Sequence, residues 1–238
     1  MRLAIIGTGG IGSALATLFA RNGHEVILGS RSVQQATLLA RQLGAAEPSS
    51  YRVAAESADL LFFCVPWEHK DGALEQLGDL SGKIVVDVSN PETVDGRRLA
   101  LGHSTSGAEI IAARTNGASV IKAFNYIYAE LLRAPQRLNR LNPSIFLCGD
   151  DNAAKQIVTT LIASCELQPV DCGPLKNARY LEPLALLMVH LVREEGWPPD
   201  EVGMRLSQIQ TAEPVSLIED NLAEAMLCSP NSMQAKSP

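Results

Sequence analysis

The stretch MRLAIIGTGGIGSALATLF, residues 1–19, predicts a buried strand, a glycine-rich turn and a helix in direct succession. The apolar run Leu3 to Ile6 precedes the turn, and Leu15, Leu18 and Phe19 follow it at helical spacing. In a GxGxxG turn, the first glycine permits the tight turn, the second lets the backbone approach a diphosphate, and the third lets the helix pack closely on the strand. The diphosphate then lies at the helix N-terminus, where free N–H groups and the helix dipole favour an anion. The stretch therefore predicts a dinucleotide-binding βαβ unit.

A second turn, Gly29-Ser30-Arg31, follows the next predicted strand, Glu25 to Leu28. Sites for NAD place Asp or Glu at this position, where the carboxylate accepts the ribose hydroxyls. Such a carboxylate would repel the additional phosphate of NADP, whereas a hydroxyl and a guanidinium bind it. The turn therefore predicts NADP as the cofactor. A second interpretation, compatible with the first, is that Ser30 and Ser32 cap a helix from Val33 to Leu43.

The composition is that of an ordinary globular protein of 238 residues, 46% of them hydrophobic, which suits one large domain or one domain with an appendage. The net charge of −6 and the pI near 5.3 argue against a nucleic-acid partner. Five cysteines lack CxxC or Cys/His ligand spacing, which predicts buried thiols in a reducing cytosol, without disulfides or a bound metal. The chain starts at a strand rather than a secretion signal, and Leu181 to Val192 is too short to span a bilayer. We therefore expect a cytoplasmic protein without membrane contact.

Strand and helix patterns alternate along the first 172 residues, with a loop predicted around Glu47 to Ser50. The capping box of Ser106 and Glu109 predicts a helix to about Arg114, and another helix is expected from Asp151 to Ser164. The remaining strands are predicted near Tyr51 to Ala54 and at Leu60 to Val65, Lys83 to Val88, Ala118 to Phe124, Ile145 to Cys148 and Gln168 to Asp171. This alternation predicts an α/β fold of the Rossmann type: a doubly wound, mostly parallel sheet with helices on both faces.

The pattern changes at Gly173-Pro174, after which only helical segments are predicted: Leu175 to Glu194, Glu201 to Gln210 and Val215 to Leu227. We expect an NADP-binding domain over residues 1–172 and a helical segment over residues 173–228. That segment would complete an acceptor site or a homodimer interface, because a helix that is apolar nearly all round needs cover on all sides. The polar residues 229–238 are expected to be a disordered tail.

Seven blocks of sequence carry a resemblance to a known family: IGTGGIGSAL (6–15), GHEV (23–26), GSR (29–31), VPWEH (65–69), KAFN (122–125), CGDD (148–151) and DCGPLKNAR (171–179). The chain resembles the NADP oxidoreductases that use the deazaflavin coenzyme F-420, and more distantly the reductase domain of membrane-bound ferric reductases. The resemblance implies that Thr8 to Ile11 line the diphosphate, that Ser30 and Arg31 hold the 2′-phosphate, and that Val65 to His69 lies beside the nicotinamide. It departs at Gln35, where the deazaflavin enzyme carries a lysine, so one phosphate contact is missing.

The candidate site residues lie in these turns and at the ends of later strands, where ligands bind in open α/β sheets. Trp67 either walls the acceptor site or only packs, and Lys122 is expected to pair with a carboxylate. No residue has an assured catalytic role; His69 is the candidate, and it donates a proton, contacts the ribose or is simply solvated. The candidate cofactor-binding residues are Gly7, Thr8, Gly9, Gly10, Ile11, Gly12, Ser30, Arg31, Val65, Pro66, Trp67, His69, Asn90, Pro91 and Asn125.

The function predicted from these residues is hydride transfer between NADPH and a small-molecule redox acceptor such as a deazaflavin or a flavin. Such a transfer needs alignment and exclusion of water more than an acid or a base. Reduction of a small carbonyl or imine is an alternative, although the GxxGxxxKxxxN signature of hydroxyacid dehydrogenases is absent. A non-catalytic NADPH-binding redox sensor is a third interpretation.

Overall fold

Eight strands form one sheet in the computed structural model, which describes residues 1–44, 46–102 and 104–207. They are β1 (Arg2–Ile6), β2 (Glu25–Ser30), β3 (Ala46–Ser50), β4 (Leu60–Phe63), β5 (Ile84–Asp87), β6 (Ser119–Ala123), β7 (Ser144–Gly149) and β8 (Gln168–Asp171). Their order is β3-β2-β1-β4-β5-β6-β7-β8. All neighbours are parallel except β6 and β7, which are antiparallel. The predicted α/β fold with a mostly parallel sheet is therefore confirmed.

Helices connect the strands, and two short 3-10 turns, Trp67–His69 and Leu175–Asn177, precede helices. In the described ranges, no helix is both long and apolar enough to cross a bilayer. The helices are α1 (Gly10–Arg21), α2 (Val33–Leu43), α3 (Tyr51–Glu56), α4 (Lys70–Leu77), α5 (Gly107–Arg114), α6 (Ala129–Arg133), α7 (Pro135–Leu141), α8 (Asn152–Ser164) and α9 (Ala178–Arg193).

The two faces of the sheet carry separate hydrophobic cores, because successive side chains of a strand point to opposite faces. In β1, Leu3 and Ile5 join the core under α1 and α8, whereas Ala4 and Ile6 join the core under α3, α5 and α9. The first core contains the rings of Phe19, Phe62 and Phe124, with centroids 4.6 to 6.2 Å apart. Helices thus cover both faces, as the apolar strand patterns predict.

The edge of the sheet departs from the sequence prediction. Residues 46–50, predicted as a loop, form β3, and residues 51–54, predicted as a strand, lie in α3. Pro48 is tolerated in β3 because this strand pairs with β2 alone at the sheet edge. Ser50 then starts α3, since its Oγ accepts a hydrogen bond from the Val53 N–H at 3.4 Å. At residues 51–54 the Ser50 cap therefore determines a helix, although the apolar pattern suggests a strand.

The C-terminal part of the described chain confirms one predicted helix and corrects another. Helix α9 follows the 3-10 turn, but residues 201–207 are not helical. This segment instead runs beside the start of β7, where the Ser144 N–H donates to the Met204 carbonyl at 2.8 Å. Residues 1–205 form one compact unit. The predictions for 208–210, 215–227 and 229–238 lie outside the described residues, and the domain boundary at 173 and the homodimer stay predictions.

A buried lysine joins the ends of two central strands. The Lys122 ammonium in β6 is 0% exposed and lies 2.9 Å from both the Asp87 carboxylate of β5 and the Glu182 carboxylate of α9. It also donates to the carbonyl of Ser89. Burial lowers the pKa of Lys122, but the two carboxylates outweigh burial and raise it. The lysine is therefore held as an ammonium, as its predicted pairing with a carboxylate requires.

Glu182 also fixes a helix end. Its carboxylate accepts hydrogen bonds from the backbone N–H groups of Gly107 and Ala108, at 3.0 and 3.1 Å, in the first turn of α5. A carboxylate at a helix N-terminus is stabilised by these free N–H groups and by the helix dipole. One network of side chains therefore ties β5, β6, α5 and α9 together at the carboxyl edge of the parallel strands.

Replacing Lys122 with Met should destabilise the fold strongly, because two buried carboxylates lose their cation. Removing one partner of a buried ion pair costs about 3–5 kcal/mol. Urea unfolding followed by circular dichroism measures the free energy of unfolding of each variant.

Lys83→Met is the matched control, since the Lys83 ammonium donates to the Ala58 carbonyl at 2.8 Å from a partly buried site. Its expected loss is about 1 kcal/mol or less. Equal stability of the Lys122→Met variant and the wild type would show that the network does not stabilise the fold.

Candidate functional site

The glycine turn between β1 and α1 is closely packed on one side and open on the other. A Cβ atom on Gly7, whose φ is +113°, would lie 2.6 Å from the Cys64 carbonyl oxygen, and one on Gly12 would lie 2.1 Å from the Gly7 carbonyl oxygen. A Cβ on Gly9 would meet no atom within 4 Å. Gly7 and Gly12 therefore allow the turn to pack, whereas Gly9 leaves space beside the backbone for a ligand.

Two neighbouring cavities meet at this turn. The first, which we call the Ser30 cavity, has a volume of about 310 Å³. Its position at the carboxyl ends of β1, β2 and β4 is where dinucleotides bind in open α/β sheets. It is lined by Gly7, Thr8, Gly9, Ser30, Arg31, Gln35, Tyr51, Cys64, Val65, Pro66 and His69.

The second, the Trp67 cavity, has a volume of about 350 Å³ and lies toward β5 and the end of α9. The two cavities share a wall formed by Gly9, Cys64, Val65 and Pro66. The remaining residues of the Trp67 cavity are Gly10, Ile11, Trp67, Glu68, Val88, Ser89, Asn90, Glu92, Thr93, Val94, Asp95, Gly96 and Arg193.

The second turn presents a hydroxyl and a guanidinium to the Ser30 cavity. The Ser30 hydroxyl is buried, lies 3.4 Å from the Thr8 hydroxyl and accepts a hydrogen bond from the Ser32 N–H. Ser32 caps α2, because its Oγ accepts from the Gln35 N–H at 3.4 Å. The capping interpretation therefore holds for Ser32, while Ser30 and Arg31 line the cavity.

Trp67 and His69 lie on one 3-10 turn but line different cavities. Trp67 is half-buried on the wall of its cavity, and the Lys70 ammonium lies 4.4 Å from its ring centroid. His69 is exposed and lines the Ser30 cavity. A contact of His69 with the nucleotide is compatible with this position, whereas proton donation would require it to reach the other cavity.

Three candidate residues, Gly12, Pro91 and Asn125, line neither cavity. Asn125 is buried, and its Nδ2 donates to the Asn90 Oδ1 at 2.9 Å and to the Leu181 carbonyl at 2.8 Å. The Asn90 Nδ2 donates back to the Asn125 carbonyl at 2.8 Å. Asn125 therefore orients Asn90, which lines the Trp67 cavity.

Cys64 is a neutral thiol in the wall shared by the Ser30 and Trp67 cavities. Burial raises its pKa strongly, and the nearby Asp87 carboxylate raises it further. Because the thiolate is the nucleophilic form, this cysteine is unreactive in the fold. It serves to pack the glycine turn.

Several lining residues were missed by the sequence reasoning. The loop from Glu92 to Gly96 follows Pro91 at the end of β5, so the strand-end rule could have found it. Arg193 could not be found, because only the fold brings its guanidinium to the Asp95 carbonyl, at 3.3 Å. Arg133 lines neither cavity but contacts α1, where it donates to the Gly10 carbonyl at 2.7 Å and to the Ser13 hydroxyl.

Fold and site together define a class of protein. A Rossmann-type sheet with an open glycine turn, and with serine and arginine in place of an acidic residue after the second strand, is typical of NADP-dependent oxidoreductases. The sequence model described as "NADP oxidoreductase coenzyme F420-dependent" matches residues 2–91. The F420-dependent NADP reductase of Methanocaldococcus jannaschii is 30% identical over 210 residues, which cover 80% of this chain and 92% of that protein. The chain belongs to the family of coenzyme F420-dependent NADP oxidoreductases.

Two further relatives extend this result. The metalloreductase STEAP3 of Rattus norvegicus is 32% identical over 188 residues, which cover 79% of this chain but 37% of that protein. The chain thus spans little more than a third of that metalloreductase. The crystal structure of a putative F420-dependent NADP reductase from Arthrobacter sp. FB24 superposes with a TM-score of 0.78 at 27% identity, covering 87% of this chain and 99% of that one. These findings confirm the family resemblance, the fold and the NADP-dependent oxidoreductase class.

Replacing Arg31 with Ala should weaken NADPH binding far more than NADH binding. Loss of a hydrogen bond to a charged group costs about 1.5–3 kcal/mol, which corresponds to roughly a 10- to 100-fold weaker Kd. NADH lacks the 2′-phosphate, so its Kd should change by less than about twofold. Titration of nicotinamide fluorescence measures both constants.

The control for this prediction is Arg41→Ala, which removes a guanidinium from the other end of α2. It should leave both Kd values unchanged. Equal losses for NADPH and NADH in the Arg31→Ala variant would show that Arg31 does not contact the 2′-phosphate.

Proposed function

We propose that the protein transfers hydride between NADPH and a planar redox ring, either a deazaflavin or a flavin. The observation that carries this proposal is the wall shared by the Ser30 and Trp67 cavities, formed by Gly9, Cys64, Val65 and Pro66. A nucleotide in the Ser30 cavity and an acceptor in the Trp67 cavity can each place one ring beside this wall. The two rings then lie within reach of each other. Hydride transfer depends on this kind of alignment.

The residues of the Ser30 cavity fit NADP. The open space beside Gly9 and the first turn of α1 receive the diphosphate, and Ser30 and Arg31 hold the 2′-phosphate. The nicotinamide then extends past Val65 and Pro66 toward the Trp67 cavity. When bound, NADPH supplies the hydride; the protein positions it and limits access of water.

The Trp67 cavity suits a flat, partly apolar acceptor. Its walls include Ile11, Trp67, Val88 and Val94, and Val94 is 94% exposed at the tip of its loop. An aromatic wall favours a second ring by stacking, which contributes about 0.5–1.5 kcal/mol beyond area burial. The relatives named as F420-dependent NADP reductases support a deazaflavin as this acceptor.

Reduction of a small carbonyl or imine is the second candidate function. It requires a proton donor in the acceptor cavity, and the half-buried carboxyl of Glu92 is such a group. A flat aromatic wall is less important for this chemistry.

The acceptor can be identified by following NADPH oxidation at the nicotinamide absorbance band with a panel of compounds. We expect turnover with oxidised deazaflavin or with free flavins, because both are planar rings that accept hydride. The panel also includes ferric chelates, quinones, carbonyls and imines. Oxidation by carbonyls or imines alone would contradict the proposed acceptor.

Replacing Trp67 with Ala should raise the KM for the ring acceptor about 3- to 10-fold, because the stacking surface is lost. Trp67→Phe should retain most of the affinity, and the Kd for NADPH should be unchanged in both variants. The control is Trp197→Ala, which removes an exposed indole that lines neither cavity. An unchanged KM in Trp67→Ala would mean that the acceptor does not stack on this ring.

A further inference from the structure

Glu92 differs from the other two carboxylates that line the Trp67 cavity. Glu68 and Asp95 are exposed, and Asp95 accepts hydrogen bonds from the Thr93 hydroxyl and the Arg97 N–H. Glu92 is half-buried and follows β5 on the rim where the cavity opens. It therefore combines access to the cavity with partial shielding from water.

The backbone of Glu92 is held by a chain of hydrogen bonds from the core. Its backbone N–H donates to the Asn90 carbonyl at 2.8 Å. Asn90 is fixed in turn by its reciprocal bonds with Asn125, at 2.8 and 2.9 Å. The backbone that carries Glu92 is thus fixed at the cavity wall through Asn90 and Asn125.

The charged and titratable groups around Glu92 come from four elements. Arg193 at the end of α9 and Lys122 in β6 favour the carboxylate, whereas Glu68 on the 3-10 turn disfavours it. The charge of Glu92 also raises the pKa of the Tyr128 hydroxyl before α6. This hydroxyl donates to the Met188 carbonyl at 3.1 Å. Burial outweighs the attraction of Arg193, so the pKa of Glu92 lies above its ordinary value.

We propose that Glu92 is the proton donor to the acceptor that occupies the Trp67 cavity. The inference deepens the proposed function, since it names the acid of the same site. Reduction by hydride places an electron pair on a heteroatom of the acceptor. The Glu92 O–H bond breaks, its proton bonds to that heteroatom, and the Glu92 carboxylate afterwards recovers a proton from water.

The charge of the cofactor supports this exchange. The reduced nicotinamide ring is neutral, and the oxidised ring is a cation. A carboxyl on the cavity wall therefore keeps its proton more readily beside the reduced ring and loses it more readily beside the oxidised ring. Proton release from Glu92 and formation of the cationic ring then stabilise each other.

The test measures protons rather than turnover. Isothermal titration of NADP⁺ and of NADPH in buffers of different ionisation enthalpy gives the number of protons released on binding. Both nucleotides carry the same 2′-phosphate, so its titration cancels in the difference between them. Over a pH series that rises from the ordinary pKa of glutamic acid, NADP⁺ should release more protons than NADPH in the wild type, because the cationic ring lowers the pKa of Glu92.

In Glu92→Gln, this difference should disappear while both nucleotides still bind, which shows that the variant is folded. In Glu75→Gln, which alters an exposed carboxylate of α4 that lines neither cavity, the difference should remain. An unchanged difference in Glu92→Gln would overturn the proposal.

Turnover gives a second, separate result. With an active acceptor, wild-type kcat should fall as the pH rises through the pKa of Glu92, because the acid form is lost. Glu92→Gln should be about 10²- to 10⁴-fold slower, without this pH dependence. If no deazaflavin or flavin is reduced but the proton difference still depends on Glu92, the proposed acceptor is wrong and the proton donor stands. Equal kcat and an equal pH profile in both proteins would overturn the proton donor alone.

Discussion

The buried ammonium of Lys122 is the interaction on which the site depends. A charge without access to water requires compensation, and here Asp87 and Glu182 provide it from a neighbouring strand and from the last described helix. Since Glu182 also binds the first turn of α5, the position of one lysine fixes four elements at once. The Ser89 carbonyl, which accepts from the same ammonium, belongs to the wall of the Trp67 cavity. The ion pairs of Lys122 and the shape of the Trp67 cavity therefore depend on each other.

The wall between the cavities depends on close backbone packing rather than on charge. Gly7 approaches the Cys64 carbonyl so closely that no side chain fits between them. This contact holds the glycine turn between β1 and α1 against the end of β4, directly before Val65 and Pro66. The Ser30 and Trp67 cavities consequently share one wall, formed by Gly9, Cys64, Val65 and Pro66.

The sequence predicts most of this molecule where the deciding interactions are local. The strand, turn and helix of residues 1–19 follow from glycine spacing and apolar periodicity, and Ser30 and Arg31 follow from their place after β2. The predictions for residues 47–54 were wrong, because the edge pairing of β3 and the Ser50 cap outweigh a short apolar pattern. Glu92 lies one residue beyond the predicted Pro91, but its importance depends on burial. Arg193 and Glu182 reach the site only through the path of α9, which no local pattern specifies.

The antiparallel direction of β7 determines where helix α9 begins. Because β7 is antiparallel to β6, it ends beside the start of β6, where the Ser119 hydroxyl donates to Asp151 and the Leu175 N–H donates to Asp150. Helix α9 therefore starts near the amino ends of the parallel strands and runs back toward the cavities at their carboxyl ends. Glu182 and Arg193 are eleven residues apart, close to three whole turns, so they share one side of the helix. The buried carboxylate thus sets the angular phase of the helix, and inserting one residue between the two would rotate the guanidinium by about 100° away from the Trp67 cavity.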